Sequence, residues 1–199
     1  MTVATTPTTT TPSTRVVEGR TVPAAGVWTV DPSHSSVAFI ARHMMVAKVR
    51  GSFSSYTVDL TIAEDPTQSS LSVSIDAASL DTKDEGRDGH VRSADFFDVE
   101  QFPTIDFTST SVAPGQGADA WVIAGDLTIH GVTKSVELAV ELSGVAADPW
   151  GNDRAIYEAS TEIDREDFGL TYNQALAGGG VLVGKKIKIE LDIESVRQA

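Results

Sequence analysis

The sequence predicts an all-β protein whose sheet closes on itself, apolar within and charged without. Apolar residues recur at every second position over segment after segment. The clearest run sets Val136, Leu138, Val140 and Leu142 against Ser135, Glu137, Ala139 and Glu141. Turn-forming residues separate these runs. The chain's 199 residues suffice for one β domain but not for two ordinary ones. A period of two sends successive side chains to opposite faces of a sheet. So many half-buried strands in one modest chain point to a barrel, a shape that suits a container for an apolar molecule.

Residues 1–25 are mostly Thr, Pro, Val and Ala, with an unbroken run from Thr8 to Thr11. They show no periodicity and are expected to form a disordered leader, leaving 26–199 as the barrel domain. Strands are expected at Val27–Asp31 and Ser36–Arg42, separated by a turn at Asp31-Pro32-Ser33. Gly51 is expected to bend the chain before Phe53. Two long strands, Ser54–Ala63 and Ser70–Ala77, flank the turn Glu64-Asp65-Pro66-Thr67. The alternation then stops. Carboxylates after Asp81 and a basic Arg92 suggest a short helix, with Phe96, Phe97 and Phe102 at its exit to plug one end of the barrel. Strands resume at Thr104–Ser111, Ala120–Ile129, Val132–Ser143, Arg154–Asp164 and Lys185–Val196, with a tight corner at His130-Gly131. Arg165–Phe168 reads as a single helical turn, and Ala177–Gly180 as a flexible loop.

Bulk properties exclude several functions. A net charge of −13 repels nucleic acid and anionic surfaces. The absence of cysteine removes disulfides, thiol nucleophiles and thiolate metal sites. No stretch approaches the roughly 18 apolar residues of a membrane span. The front end lacks the basic start and apolar run of a secretory signal, so a cytoplasmic location is expected.

Chemical motifs are weak. Gly179–Lys186 nearly matches a phosphate loop. However, Lys186 stands where a hydroxyl is required, and a strand rather than a helix follows. Asp31, His34 and Ser35 are triad residue types held too close in sequence for triad geometry. The four histidines (His34, His43, His90, His130) lack metal-ligand spacing. His43 shares the inward phase of Val37 and Phe39. It fits either a satisfied core histidine or a polar handle at a cavity mouth. Arg87, Asp88, His90 and Arg92 make a dense polar cluster, either a bridged helix surface or a headgroup site with anion-binding guanidinium forks.

In order and spacing, several motifs together resemble the YceI-like polyisoprenoid-binding family. They are Asp31-Pro-Ser-His34-Ser35, Arg87-Asp88-Gly-His90, Ser93–Asp98, Phe102-Pro103, Gly125–Lys134 and Arg165–Gly169, with Phe39, His43, Gly51 and Phe53 between. The resemblance runs from about Trp28 to the C-terminus. It implies an extended eight-stranded antiparallel barrel, lipocalin-like and often dimeric, holding a polyprenyl phosphate or an isoprenoid quinone.

On that footing the ligand-binding residues are expected on the inward phase. The front strands supply Val37, Phe39, Phe53, Tyr56, Val58 and Leu60, then Leu71, Val73 and Ile75. The later strands supply Ile105, Phe107, Leu127 and Ile129, then Val136, Leu138 and Val140. Phe97 and Phe168 complete the apolar set, and His43, Arg87, His90 and Arg92 would meet the headgroup. Met45 belongs to a soft apolar lip, Met44-Met45-Val46. The expected protein is therefore a non-enzymatic lipid carrier or store with no further cofactor, and a homodimer. Two alternatives remain: a lipocalin-like enzyme using His43 or His34 as acid/base, and a histidine metal site. A barrel filled solid by its own side chains would exclude the carrier.

Overall fold

A computed structural model describes residues 13–198. Its barrel is an up-and-down meander of eight staves. The first three staves are each broken once. β3 (Gly26–Val30) and β4 (Ser36–His43) flank a 3-10 turn at Pro32–His34, capped by the Asp31 side chain. β5 (Ala47–Phe53) and β6 (Tyr56–Ile62) meet at Ser54-Ser55. β7 (Ser70–Asp76) and β8 (Leu80–Asp81) flank a turn at Ala77–Ser79. β9 (Thr104–Pro114), β10 (Ala120–Ile129), β11 (Val132–Ala147), β12 (Asp153–Asp164) and β13 (Val183–Arg197) complete the wall. All neighbours are antiparallel. β13 closes the ring: one edge pairs with β12, and the other pairs with β4 over residues 183–192 and with β3 over 195–197.

α1 (Glu85–Arg92) leaves the third stave and covers one end of the barrel. Its N-cap is Asp84, whose side chain accepts from Arg87 N–H. The helix is tied to the wall through Thr82. Asp88 Oδ1 accepts from Thr82 N (2.9 Å) and Oγ1 (2.5 Å), and Arg87 donates to Thr82 Oγ1 (2.7 Å) and O (2.9 Å).

Two glycines are required by the phenylalanines beside them. Gly51 does not bend its strand; β5 runs straight through it. A Cβ there would meet the Phe39 ring at 2.4 Å, and a Cβ at Gly125 would meet the Phe107 ring at 2.3 Å. Each ring lies across the neighbouring strand where a side chain would otherwise stand.

The expected leader is ordered in part. Residues 14–23 form a hairpin of β1 (Thr14–Val17) and β2 (Arg20–Pro23), so the folded portion begins before residue 26. The hairpin crosses the barrel end opposite α1. Arg15 donates to the carbonyls of Ala63 and Glu64, and Arg20 to those of Gly115 (2.9 Å) and Ala120 (2.9 Å). Arg20 also sits over the Trp121 ring, 5.5 Å from its centroid. Val22 and Ala24 are buried beneath, and Trp28 Nε1 donates to Ala24 O at 3.1 Å. The hairpin's order comes from these distant partners rather than from any local periodicity, which is why the sequence alone suggests disorder. The rest of the expected leader, 1–12, lies outside the described residues.

Candidate functional site: the bore and its two ends

The bore is not filled by its own side chains. A cavity of about 510 Å³ runs through it, within the range of small-molecule sites. Its wall is almost wholly apolar and draws on every stave.

Most of the expected lining residues reach the cavity. From the first three staves come Val37, Phe39, Phe53, Val58, Leu60, Leu71, Val73 and Ile75; from the next three, Ile105, Phe107, Leu127, Ile129, Val136, Leu138 and Val140. Phe97 closes the helix end, edge-on to Phe53 at 6.1 Å between centroids. His43, Arg87 and His90 stand at that same end with Arg42, Tyr172 and Leu182.

Four expected residues do not line it. Met45 lies outside on an exposed turn. Tyr56 packs against the core instead, its hydroxyl buried and without a hydrogen-bond partner among the described residues. Arg92 turns away to hold the Leu80 carbonyl, fixing α1 to β8. Phe168, in the 3-10 turn Arg165–Phe168, is 2% exposed and belongs to the core cluster rather than the cavity wall.

The sequence expectation omits one side of the bore entirely. β12 contributes Tyr157, Ala159, Thr161 and Ile163, and β13 contributes Ile187, Ile189, Leu191 and Ile193. The alternation of β13 is plain in the sequence, so its inward phase could have been assigned with the others. Val112 is a different case. A register shift opposite Ala124/Gly125 moves the inward phase of β9 from odd to even positions, and Val112 faces in while Ser111 does not. Val22 and Pro23, from the hairpin, floor the far end.

The two ends differ in polarity. At the hairpin end, the lining is buried Val22, Pro23 and Pro66 with Trp121, and its polar groups are the uncharged Ser69 and Ser70. At the helix end, three exposed basic residues reach the cavity: Arg42, Arg87 and His90. His90 Nε2 lies 2.8 Å from Asp95 Oδ2, and its ring packs edge-on against Phe96 and Tyr172. Arg165 is 3% exposed and lines the same end. It donates to the carbonyls of Gly184 (3.1 Å) and Leu170, and burial pulls its guanidinium below the ordinary range. Tyr157, with Thr161 on the same strand, is a polar group deeper in the bore; burial raises its phenol, offset in part by Ser195 beside it.

The Asp31–His34 region lies on the outer wall and lacks triad geometry. His34 Nδ1 faces both Ser33 Oγ (3.0 Å) and Asp31 Oδ2 (3.1 Å), whereas a triad needs the two ring nitrogens on different partners. Ser35 Oγ instead accepts from Glu194 N at 2.9 Å. Asp31, His34 and Glu194 do bring one ligand atom each within 4.8 Å of one another. Arg154 already supplies their positive charge: it binds Asp31 (2.9 Å), Asp148 (3.0 Å) and Glu194. The bonds from Ser33, Arg154 and His34 hold the Asp31 carboxyl well below its usual range.

The decisive comparison is with the YceI-like domain, which matches residues 28–195. This chain belongs to the YceI-like family. UPF0312 protein SAS2572 of Staphylococcus aureus strain MSSA476 is 37% identical over 171 residues, covering 84% of this chain and 95% of that protein. Among solved structures, Burkholderia cenocepacia BcnA superposes with a TM-score of 0.72 at 23% identity, covering 83% of this chain and 98% of BcnA. A polyisoprenoid binding domain from Saccharophagus degradans, implicated in plant cell wall breakdown, gives 0.60 at 16%, covering 86% and 98%. At these identities the two structures establish a shared fold. The YceI-like match begins after the β1–β2 hairpin, which is therefore an addition to the matched region.

Proposed function

We propose that this YceI-like protein is a non-enzymatic carrier or store for a long isoprenoid lipid, either a polyprenyl phosphate or an isoprenoid quinone. The tail lies in the bore, and the polar head sits at the helix end among His43, Arg87 and His90. One observation carries this reading: a continuous cavity whose wall is apolar on all eight staves and whose basic lining gathers at one end. A dry channel stabilises a hydrocarbon guest by about 25 cal/mol per Å² of apolar surface buried, and an isoprenoid tail leaves no polar atom unsatisfied there. The polyisoprenoid-binding domain with the same fold supports the choice of ligand. The outer-wall Asp31–His34 cluster, lacking triad geometry and outside the cavity lining, gives the enzymatic alternative no support.

Native mass spectrometry of freshly purified protein, followed by organic extraction, tests the proposal. A bound lipid with isoprene mass spacing is expected, and the same spectrum tests the homodimer. Protein that emerges empty, and that takes up no isoprenoid when supplied with it, would refute the carrier.

A further inference from the structure

We propose that the turn Met44–Val46 is a tip that docks on an anionic lipid bilayer, at the mouth through which the bore exchanges its guest. The proposal rests on the carrier reading and names the surface from which the carrier loads.

The turn's conformation conflicts with its sequence. It joins β4 to β5 and is closed by Val46 N–H on His43 O at 3.1 Å. Met44 and Met45, its central residues, both have positive φ, 50° and 63°. That is the type I′ signature, which asparagine and glycine adopt readily and large side chains resist. Here it carries two methionines and a valine, 49%, 59% and 79% exposed. A strained backbone that presents three apolar side chains to water gains nothing for the fold.

The turn lies at the mouth. Met44 N–H donates to Leu182 O at 2.8 Å, and a Cβ on Gly180 would meet Met45 Cγ at 3.8 Å. Leu182, His43 and Arg42 line the cavity beside it. The opposite end lies under the β1–β2 hairpin, whereas at the helix end, beside α1 and Phe97, the exposed residues Arg42, Arg87 and His90 reach the cavity.

Charge selects the partner. The protein carries 28 acidic residues and a net charge of −13, yet 32–58 and 168–189 contain no Asp or Glu. β4 and β13 bring these two acid-free segments together as hydrogen-bonded neighbours. Arg42 and Lys48 are paired across the strands beside the tip, and neither forms an ion pair among the described residues. Further down the wall the balance returns. Lys185 binds Glu166, Arg50 and Lys188 share Glu190, and Glu162 and Asp164 face Lys188 and Lys186 across β12. The excess of positive charge is therefore confined to the tip. Apolar side chains ringed by cations match the interface of an anionic bilayer. Charges more than a Debye length of ~8 Å from a contact are largely screened, so the local charge rather than the net −13 governs the encounter.

Co-flotation of the full chain with vesicles tests this. Wild type should float with phosphatidylglycerol–phosphatidylcholine vesicles, weakly with phosphatidylcholine alone, and less as salt rises. Met44→Asn/Met45→Gly suits the I′ turn better, so it should melt no lower than wild type while losing at least about tenfold in vesicle affinity. Arg42→Gln/Lys48→Gln should lose about thirtyfold on anionic vesicles, at ~1 kcal/mol per cation. Wild type that does not float, or a Met44→Asn/Met45→Gly protein that floats equally well, overturns the proposal. So does a dimer that dissociates in this variant without any vesicle binding, since the tip would then contact a second copy. An uncharged fluorescent naphthylamine separates the two readings. If it enters the bore while flotation fails, only docking falls; if it does not enter, the carrier falls whatever the vesicles show.

Discussion

Replacing Arg20 with glutamine should unfasten the hairpin without unfolding the barrel. Arg20 donates to the carbonyls of Gly115 and Ala120 at 2.9 Å each and lies over the Trp121 ring. A hydrogen bond from a charged donor contributes about 1.5–3 kcal/mol when well buried and less here, where the partners are half-exposed. The cation–π contact adds roughly 0.5–1 kcal/mol. Discounting for solvent and for what glutamine retains leaves ~2 kcal/mol. The free energy of local opening should fall by that amount, which corresponds to about thirtyfold less protection of the hairpin amides. Hydrogen exchange followed by mass spectrometry of a peptide spanning 14–24 measures this directly; Ala24 N–H, bonded to Ser13 O at 2.9 Å, is its innermost reporter. Peptides from β10 and β11 should exchange as in wild type. Unchanged protection of 14–24 would show that Arg20 is not a latch. Equal loss throughout the wall would show that the hairpin is part of the barrel's cooperative unit rather than a cover laid on it.

Other perturbations have definite outcomes. Gly125→Ala places a methyl 2.3 Å from the Phe107 ring and 2.6 Å from Thr108 O. It should cost about 1–3 kcal/mol by urea denaturation and, by driving the ring into the bore, weaken binding of an apolar probe. Asp88→Ala strips Thr82 of two bonds at a 6%-exposed site and should cost about 2–3 kcal/mol, with α1 losing exchange protection first. Stability should form a plateau in pH. Asp31 and Asp148 have carboxyls depressed by bonds from Ser33 and Asn152 respectively, and by Arg154. Their contribution is complete above the unfolded value of about 4 and lost as pH falls below it. Tyr157 is raised by burial, so its contribution is complete below pH ~10 and lost as pH climbs beyond. Urea midpoints that keep rising below pH ~4 or above pH ~10 would contradict these assignments.

The barrel was legible because its period-two runs are long and its turns are chemically explicit. His130-Gly131, with φ of 51° and 71°, is the corner its sequence suggests. Asp65-Pro66 makes the turn between β6 and β7 through its Asp side chain on Thr67 N–H. Alternation fails where a strand changes phase. Val112 faces in only because a bulge opposite Gly125 resets β9, and nothing in residues 104–114 marks that bulge. Arg165 was legible as a member of a helical turn but not as a buried guanidinium, because its carbonyl partners lie up to nineteen residues away. The hairpin was least legible of all. Its ordering contacts are to residues 63–64 and 115–120, and a local scan shows no partner for Arg15 or Arg20.

Because β13 fastens to both β12 and the first stave, no enclosed channel exists until the final segment is in place. Residues 26–43 must wait for a partner made well over a hundred positions later, a pairing of high contact order that sets the pace of folding. Until then the seven earlier staves form an open, curling sheet with a greasy concave side and an unfilled seam. A hydrocarbon present at that moment can be enfolded sideways through the seam rather than threaded through an end. The first occupant can therefore be acquired during maturation, by a route the finished molecule no longer offers.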